Sequence, residues 1–110
     1  MRSFTIPENI QLRDPLTEKP GEFVPFKRWF LETVLNDDRM GATPVKLARV
    51  MSLIGKITVT APGATLEIED ADYDACKAIV EDPHKALGGP VLSGQLLPFA
   101  EAFLSATKKD

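Results

Sequence analysis

The chain has 110 residues, of which 44% are hydrophobic and 26% are charged, and its net charge is -3. This length is enough for one domain and too short for two, and the composition excludes a disordered, collagen-like or disulfide-rich protein. The acidic balance argues against a nucleic-acid binder that is held by phosphate contacts.

The charge is unevenly distributed along the chain. Residues 1–56 contain nine Lys or Arg and seven Asp or Glu, whereas residues 57–110 contain four and nine. A surface polarised in this way suits an oriented protein partner or a contact between copies of the chain. Uneven charge also arises by chance on a small surface, so both interpretations stay open here.

The cysteine content and the hydropathy pattern bear on location. Cys76 is the only cysteine, and it falls on the apolar side of a predicted helix, where a free thiol behaves as a small apolar residue. The first residues lack the apolar core of a signal peptide, and no segment approaches the roughly 18 apolar residues of a membrane span. We therefore expect a cytoplasmic protein that binds no membrane.

The first 24 residues are predicted to form an extended N-terminal arm, followed by a compact domain over residues 25–110. Two short extended pieces, 3–6 and 10–13, are interrupted by Pro7, and an irregular loop containing Pro15, Pro20 and Gly21 follows them. Four apolar residues of the arm alternate with polar ones and could add as a strand to a partner's sheet: Phe4, Ile6, Ile10 and Leu12.

About four helices and one hairpin are predicted for the compact domain, which makes the fold class α+β. The first helix begins at Pro25, and the second has Thr43 as its N-cap, an apolar stripe at Leu47, Val50, Met51 and Ile54, and a stop at Gly55. The segments 57–60 and 65–69 alternate around Pro62-Gly63, which favours a β-hairpin with Ile57, Val59, Leu66 and Ile68 facing inward. A third helix, with Asp70 as its cap, runs to about residue 81, a loop spans residues 84–94, and a last helix follows with Pro98 in its first turn.

A run of acidic residues is the most suggestive cluster in the sequence: Glu67, Glu69, Asp70, Asp72 and Asp74. The spacing of the three aspartates matches the opening of a calcium loop, but Ala75 stands where such a loop needs glycine. Carboxylates at the positive end of a helix explain the run more simply. We therefore predict no bound metal or cofactor, and we interpret these five residues as a second partner-binding surface.

Residues capable of catalysis are few and scattered. His84 is the only histidine, and one histidine with one cysteine cannot supply a zinc site. The glycine-rich stretch from Gly88 to Gly94 lacks the spacing of a phosphate-binding loop. The sequence therefore predicts a protein that is not an enzyme, and a small ligand-binding or enzymatic domain around His84 remains an alternative.

The order of several segments resembles that of the tail assembly chaperones, small accessory proteins encoded in the tail-gene region of long-tailed bacteriophages. The segments that carry the resemblance are 4–8, 25–30, 66–73 and the closing helix over 96–106. This resemblance implies a small, acidic, non-enzymatic protein that binds the tape-measure protein and the tail tube subunit during assembly. No functional residue of that family can be transferred to a position in this chain.

These observations together predict a non-catalytic protein-binding accessory protein that acts in phage or prophage assembly. The expected partner is a phage structural protein or a host protein, without nucleic acid or membrane, and self-association is an open option. The alternative is a phage-encoded inhibitor of host defence, in which the carboxylates from Glu67 to Asp74 occupy a basic nucleic-acid groove of the target.

Overall fold

The computed structural model describes residues 1–84 and 89–108 of the chain. The described residues form both helices and short antiparallel strands, with three strands at the start of the chain and the helices after them, so the predicted α+β class is confirmed. The strands are β1 (Arg2–Thr5), β2 (Ile10–Arg13), β3 (Pro20–Val24), β4 (Thr65–Ile68) and β5 (Thr107–Lys108). The α-helices are α1 (Phe26–Trp29), α2 (Pro44–Thr58), α3 (Asp70–Glu81), α4 (Gly89–Gln95) and α5 (Leu97–Leu104), so they number five where the sequence predicted about four.

Strand β1 lies in the middle of a three-stranded antiparallel sheet with the order β4-β1-β5. Phe4 is opposite Leu66 on one side of β1, and Ser3 is opposite Thr107 on the other. The prediction of an extended segment over residues 3–6 is therefore confirmed, but the segment is not a free arm. Both edges of β1 are occupied by strands from distant parts of the same chain.

A second sheet is a two-stranded hairpin of β2 and β3, with Ile10 opposite Val24. The sequence predicted β2 but assigned residues 14–24 to an irregular loop, and this is corrected from Pro20 onward. Proline is tolerated at the first residue of a strand. A Cβ on Gly21 would lie 3.2 Å from the carbonyl oxygen of Leu12, so the close approach of the two strands favours glycine there.

The first helical segment begins at Phe26, one residue later than predicted, with Pro25 as its N-cap, and it changes from an α-helix to a π-helix partway along. Residues Phe30–Leu35 form a π-helix, in which the N–H of Asn36 donates to the carbonyl of Leu31 at 3.0 Å. A short 3₁₀ turn follows at Asp38–Met40. The wider π turn alters which carbonyls the side chains of this segment can reach.

The predicted hairpin over residues 57–69 is wrong in its first half. Helix α2 continues past Gly55 to Thr58, so Ile57 is buried on a helix, while Val59 is exposed instead of facing inward. The Pro62-Gly63 turn does form, with Gly63 at a φ of 85° and a hydrogen bond from Ala64 N–H to Ala61 C=O. It joins a helix to a strand, and β4 pairs with β1 instead of residues 57–60.

The C-terminal third contains more regular structure than predicted. Helix α3 ends at Glu81 as predicted, but Asp70, the predicted cap, is its first residue and Glu69 is the N-cap. Residues 89–94 of the predicted loop belong to α4, which ends at Gln95, and residues 85–88 of that loop lie outside the described residues. Pro98 lies in the first turn of α5, as predicted. Among the described helices, none combines the length and the apolar character that crossing a bilayer requires.

One core joins both sheets to the helices. Its centre is a group of aromatic rings in mutual contact, and Tyr73 also donates a hydrogen bond of 3.1 Å to the carbonyl of Phe103. Each pair of aromatic rings in contact contributes about 0.5–1.5 kcal/mol beyond the burial of the apolar area of the two rings. The rings belong to strand β1 and to four helical segments: Phe4, Phe26, Trp29, Phe30, Tyr73, Phe99 and Phe103.

Candidate functional site

The apolar residues that were predicted to serve as a docking arm lie in this core. Phe4, Ile6 and Leu12 are buried, and Ile10 is half-buried against the same core. An extended segment with alternating apolar residues fits a partner's sheet or the chain's own sheet equally well. Here β1 pairs with β4 and β5, and β2 pairs with β3. In this fold these four side chains are therefore not available to a partner.

The acidic residues of the predicted second surface are spread over β4 and the first turns of α3. Asp70 contacts the N-terminal ammonium of Met1 at 2.9 Å and Lys108 Nζ at 3.7 Å, and the hydrogen bond from the ammonium lowers the pKa of this carboxyl. Asp72 lies 2.8 Å from Arg49 Nε. Two of the five acids are thus already engaged in ion pairs within the chain.

The five acids do not converge on one point. Helix positions two apart lie on different sides, which separates Asp72 from Asp70 and Asp74, while Glu67 lies on β4 before the helix begins. Within residues 1–84 and 89–108, no group of three or more His, Cys, Asp or Glu side chains is arranged to hold a metal ion. This geometry offers no cage for calcium.

The two residues considered for catalysis, His84 and Cys76, lie in different environments. His84 is exposed, with Nε2 3.9 Å from a carboxylate oxygen of Asp82. Cys76 is fully buried, and burial raises the pKa of its thiol to about 12. A thiol in that state is protonated at neutral pH and is not an effective nucleophile. The alternative of chemistry centred on His84 therefore gains no partner from this cysteine.

An uncharged, exposed surface runs along α2, and we call it the outer face of α2. It contains three exposed apolar side chains, Val45, Leu47 and Met51, of which Val45 is 75% and Met51 66% exposed. Between them lie small residues that are also exposed, Ala48, Ser52 and Gly55. Leu47 and Met51, four residues apart, share one side of α2, whereas Val45 lies on another side. Large exposed apolar patches mark interaction sites.

The charged residues of α2 lie toward the body of the domain, whereas on most surface helices they face solvent. Lys46, Arg49 and Lys56 are all half-buried beside the core-facing residues Leu53 and Ile57, while the uncharged residues face solvent. A surface helix normally shows the reverse pattern. The outward apolar residues are therefore not explained by packing within this chain.

A groove continues the outer face of α2 toward the π-helix. Its walls are Leu31 and Leu35 on one side and Val50 and Ile54 on the other, with Glu32 and Asn36 at the rim, and its volume is about 390 Å³. Glu32 lies 3.5 Å from Arg28, so its charge is partly compensated. Side chains of one helical turn could enter this groove while the rest of a partner lies on the outer face of α2.

The charges that border this surface are mainly positive. Arg49 is paired with Asp72, but Lys46 and Lys56 form no ion pair with any residue of the described chain. Two unpaired ammonium groups beside an apolar stripe favour a ligand that brings carboxylates to the same place.

A separate cavity of about 280 Å³ lies between the first helical segment, the end of α3 and helices α4 and α5. Thr33 of the π-helix is in its wall, and the Thr33 hydroxyl is buried without a hydrogen-bond partner. An unsatisfied buried hydroxyl costs about 1–3 kcal/mol.

No protein-family model, characterised protein or solved structure matches this chain.

Sequence reasoning identified part of the α2 surface but gave it the wrong environment. It placed Leu47, Val50, Met51 and Ile54 on one stripe facing the core, and the structure leaves Leu47 and Met51 exposed. The Leu53–Ile57 pair supplies the buried contact instead. The signal in the sequence is that α2 carries apolar residues on more sides than one domain of this size can cover.

Proposed function

We propose that this chain is a non-catalytic protein-binding module that receives an amphipathic helix of its partner on the outer face of α2. The observation that carries the proposal is the inverted pattern of α2, whose charged residues are half-buried and whose most exposed side chains are apolar. Recognition of this type lays the apolar stripe of one helix into a hydrophobic groove of another protein.

Charge and length define the expected partner segment. Lys46 and Lys56 favour acidic residues on the flanks of the partner helix, because each unpaired ammonium group gains an oppositely charged neighbour. The outer face extends from Val45 to Gly55, which at 1.5 Å per residue is on the order of 15 Å, or about three helical turns. The small residues Ala48 and Gly55 let the two backbones approach closely.

For the biological setting we propose the role that the sequence resemblance implies, namely assembly of a long-tailed phage in the host cytoplasm. The partner helix then belongs to the tape-measure protein or the tail tube subunit. The inhibitor alternative is less favoured, since Asp70 and Asp72 of its working surface are engaged in ion pairs within the chain.

The proposal predicts that Met51→Glu weakens binding of an acidic amphipathic helix at least tenfold, because it places a carboxylate in the middle of the apolar stripe. Fluorescence anisotropy with a labelled model peptide of leucine and glutamate measures this, and a twin peptide with lysine in place of glutamate tests the charge requirement. Met51 is exposed, so the melting temperature of the variant is expected to remain within a few degrees of the parent.

Leu16→Glu is the matched control, since Leu16 is 92% exposed and lies in the turn between β2 and β3. It is expected to bind the acidic peptide like the parent chain. Equal binding of the acidic and basic peptides, or unchanged binding by Met51→Glu, contradicts the proposal. Light scattering on the free chain checks self-association, and a dimer that Met51→Glu dissociates would make a second copy the occupant instead.

The assembly role is tested with the same pair of variants. A phage structural protein that co-purifies with the parent chain and with Leu16→Glu, but not with Met51→Glu, supports it. A host nuclease captured through the surface from Glu67 to Asp74 favours the inhibitor role.

A further inference from the structure

The cavity beside Thr33 is lined mostly by apolar atoms. No charged side chain is among the described residues that line it, and it is the most enclosed of the spaces described above. The lining residues come from four helical segments and the end of α3: Trp29, Thr33, Val80, Pro83, Ser93, Gly94, Leu96, Leu97 and Ala100.

The Thr33 hydroxyl has no hydrogen-bond partner among the described residues. Thr33 lies in the π-helix Phe30–Leu35, whereas in an α-helix a threonine hydroxyl can donate to the carbonyl four residues earlier. Single π turns inside helices are frequent at functional sites. Of the described residues that line the cavity, Thr33 is the one whose buried side-chain polar atom is unsatisfied.

We propose that this cavity binds a small, neutral, mostly apolar molecule with one hydroxyl or carbonyl group, and that this group pairs with Thr33 Oγ1. We expect the ligand to be neutral, because none of the described lining residues carries a charge that could balance a charged ligand. Volume sets the size: a cavity of about 150 Å³ holds benzene, so about 280 Å³ accommodates one substituted ring. Threonine populates two χ1 rotamers in helices, so its hydroxyl can turn to meet such a group.

The position of Trp29 makes the binding directly measurable. It is the only tryptophan of the chain and it lines the cavity, so its fluorescence reports occupation without a label. Benzyl alcohol is the first probe, ethylbenzene is its analogue with a methyl group in place of the hydroxyl, and benzoate is the charged comparison. We expect saturable changes with the two neutral probes, tighter binding of benzyl alcohol, and no saturation with benzoate.

Thr33→Val, which replaces the hydroxyl with a methyl group, separates the hydrogen bond from simple apolar filling. It is expected to weaken the binding of benzyl alcohol about fivefold, which is the effect of losing one ordinary hydrogen bond. The affinity for ethylbenzene is expected to be unchanged. The same variant is expected to raise the melting temperature of the free chain, because an unsatisfied buried group has been removed. Thr58→Val, at an exposed threonine that is hydrogen-bonded to Ile54 C=O, is the matched control and should alter neither probe.

Three results overturn the proposal. The first is the absence of a saturable change in Trp29 fluorescence with either neutral probe. The second is equal weakening of both probes by Thr33→Val, which would assign a structural role to the threonine. The third is unchanged benzyl alcohol affinity in that variant. None of these results bears on the outer face of α2, so this proposal and the proposed function fail independently.

Discussion

Asp37 is a single residue that ties two parts of the chain together. Its side chain is buried and accepts hydrogen bonds from the backbone N–H of Arg39 at 2.9 Å and from the guanidinium at 2.9 and 3.0 Å. The same guanidinium donates to the carbonyl of Asp82 at 2.7 Å, just after α3 ends. The hydrogen bond from the Arg39 side chain lowers the pKa of Asp37 from 3.8 to about 2.

This pair predicts a specific loss of stability in acid. A carboxyl whose pKa is lower in the folded chain stabilises the fold above its unfolded pKa, so the contribution of Asp37 is present above about pH 4 and lost between 3.8 and about 2. Arg39 is partly exposed, and solvent screening reduces the contribution to on the order of 1 kcal/mol. Thermal unfolding of Asp37→Asn should show a deficit at pH 7 that shrinks toward pH 2.

Asp38→Asn is the control for this effect, since Asp38 is the exposed neighbour in the same turn. Its stability should differ little from that of the parent at either pH. A deficit in Asp37→Asn that is equally large at pH 7 and pH 2 would assign the role of Asp37 to packing instead of charge.

At the scale of elements, the start of α2 is fixed by local chemistry. Thr43 accepts a hydrogen bond of 3.2 Å from the N–H of Lys46, and Pro44 follows at the first helical position. Thr43→Ala should therefore lower the free energy of unfolding by about 1 kcal/mol, as measured by urea denaturation. Thr43→Ser keeps the accepting oxygen and should remain close to the parent, whereas equal losses in both variants would contradict a capping role.

The two ends of α2 show why the sequence predicted some features and not others. The N-cap is a contact within four residues, and such contacts can be recognised from sequence. The C-terminal end is not local: residues 57–60 satisfy a strand alternation as well as a helix, and only the burial of Ile57 beside Leu53 decides between them. Strand β5 escaped prediction for the same reason, because it exists through pairing with the distant β1. Strand β3 was missed although its partner β2 is close in sequence, because Pro20 and Gly21 at its start are typical of a loop.

The same difference between local and tertiary contacts explains which parts of the candidate surface could be predicted. The apolar stripe with Leu47 and Met51 could be recognised from its spacing, but which side of α2 meets the core is decided by tertiary packing. The Thr33 cavity could not be predicted at all, because its walls come from segments that are far apart in the sequence. Residues 4, 6 and 12 were recognised as one apolar set, and their assignment to a partner was replaced by burial in the chain's own core.

At the scale of the whole molecule, stability depends on the N-terminal strand. Phe4 is buried, and its ring lies 5.3 Å from that of Phe103 and 5.6 Å from that of Phe26. Phe4→Ala should therefore cost about 3–5 kcal/mol, a large part of the 5–15 kcal/mol typical of a domain. Denaturant unfolding measures this, with the exposed Leu16→Ala as a near-neutral control. A small loss in Phe4→Ala would instead indicate a dispensable arm.

The central place of β1 also determines the order in which this protein can fold. Strand β1 is synthesised well before its two partners, β4 and β5, and its second edge is paired only after residue 107 has been synthesised. Until then the apolar side chains Phe4 and Ile6 have no finished sheet to cover them. Pairing over such sequence distances is slow, since a long loop must close first. Completion of the three-stranded sheet therefore awaits the synthesis of residue 107, although most of the described helices can form earlier from local contacts.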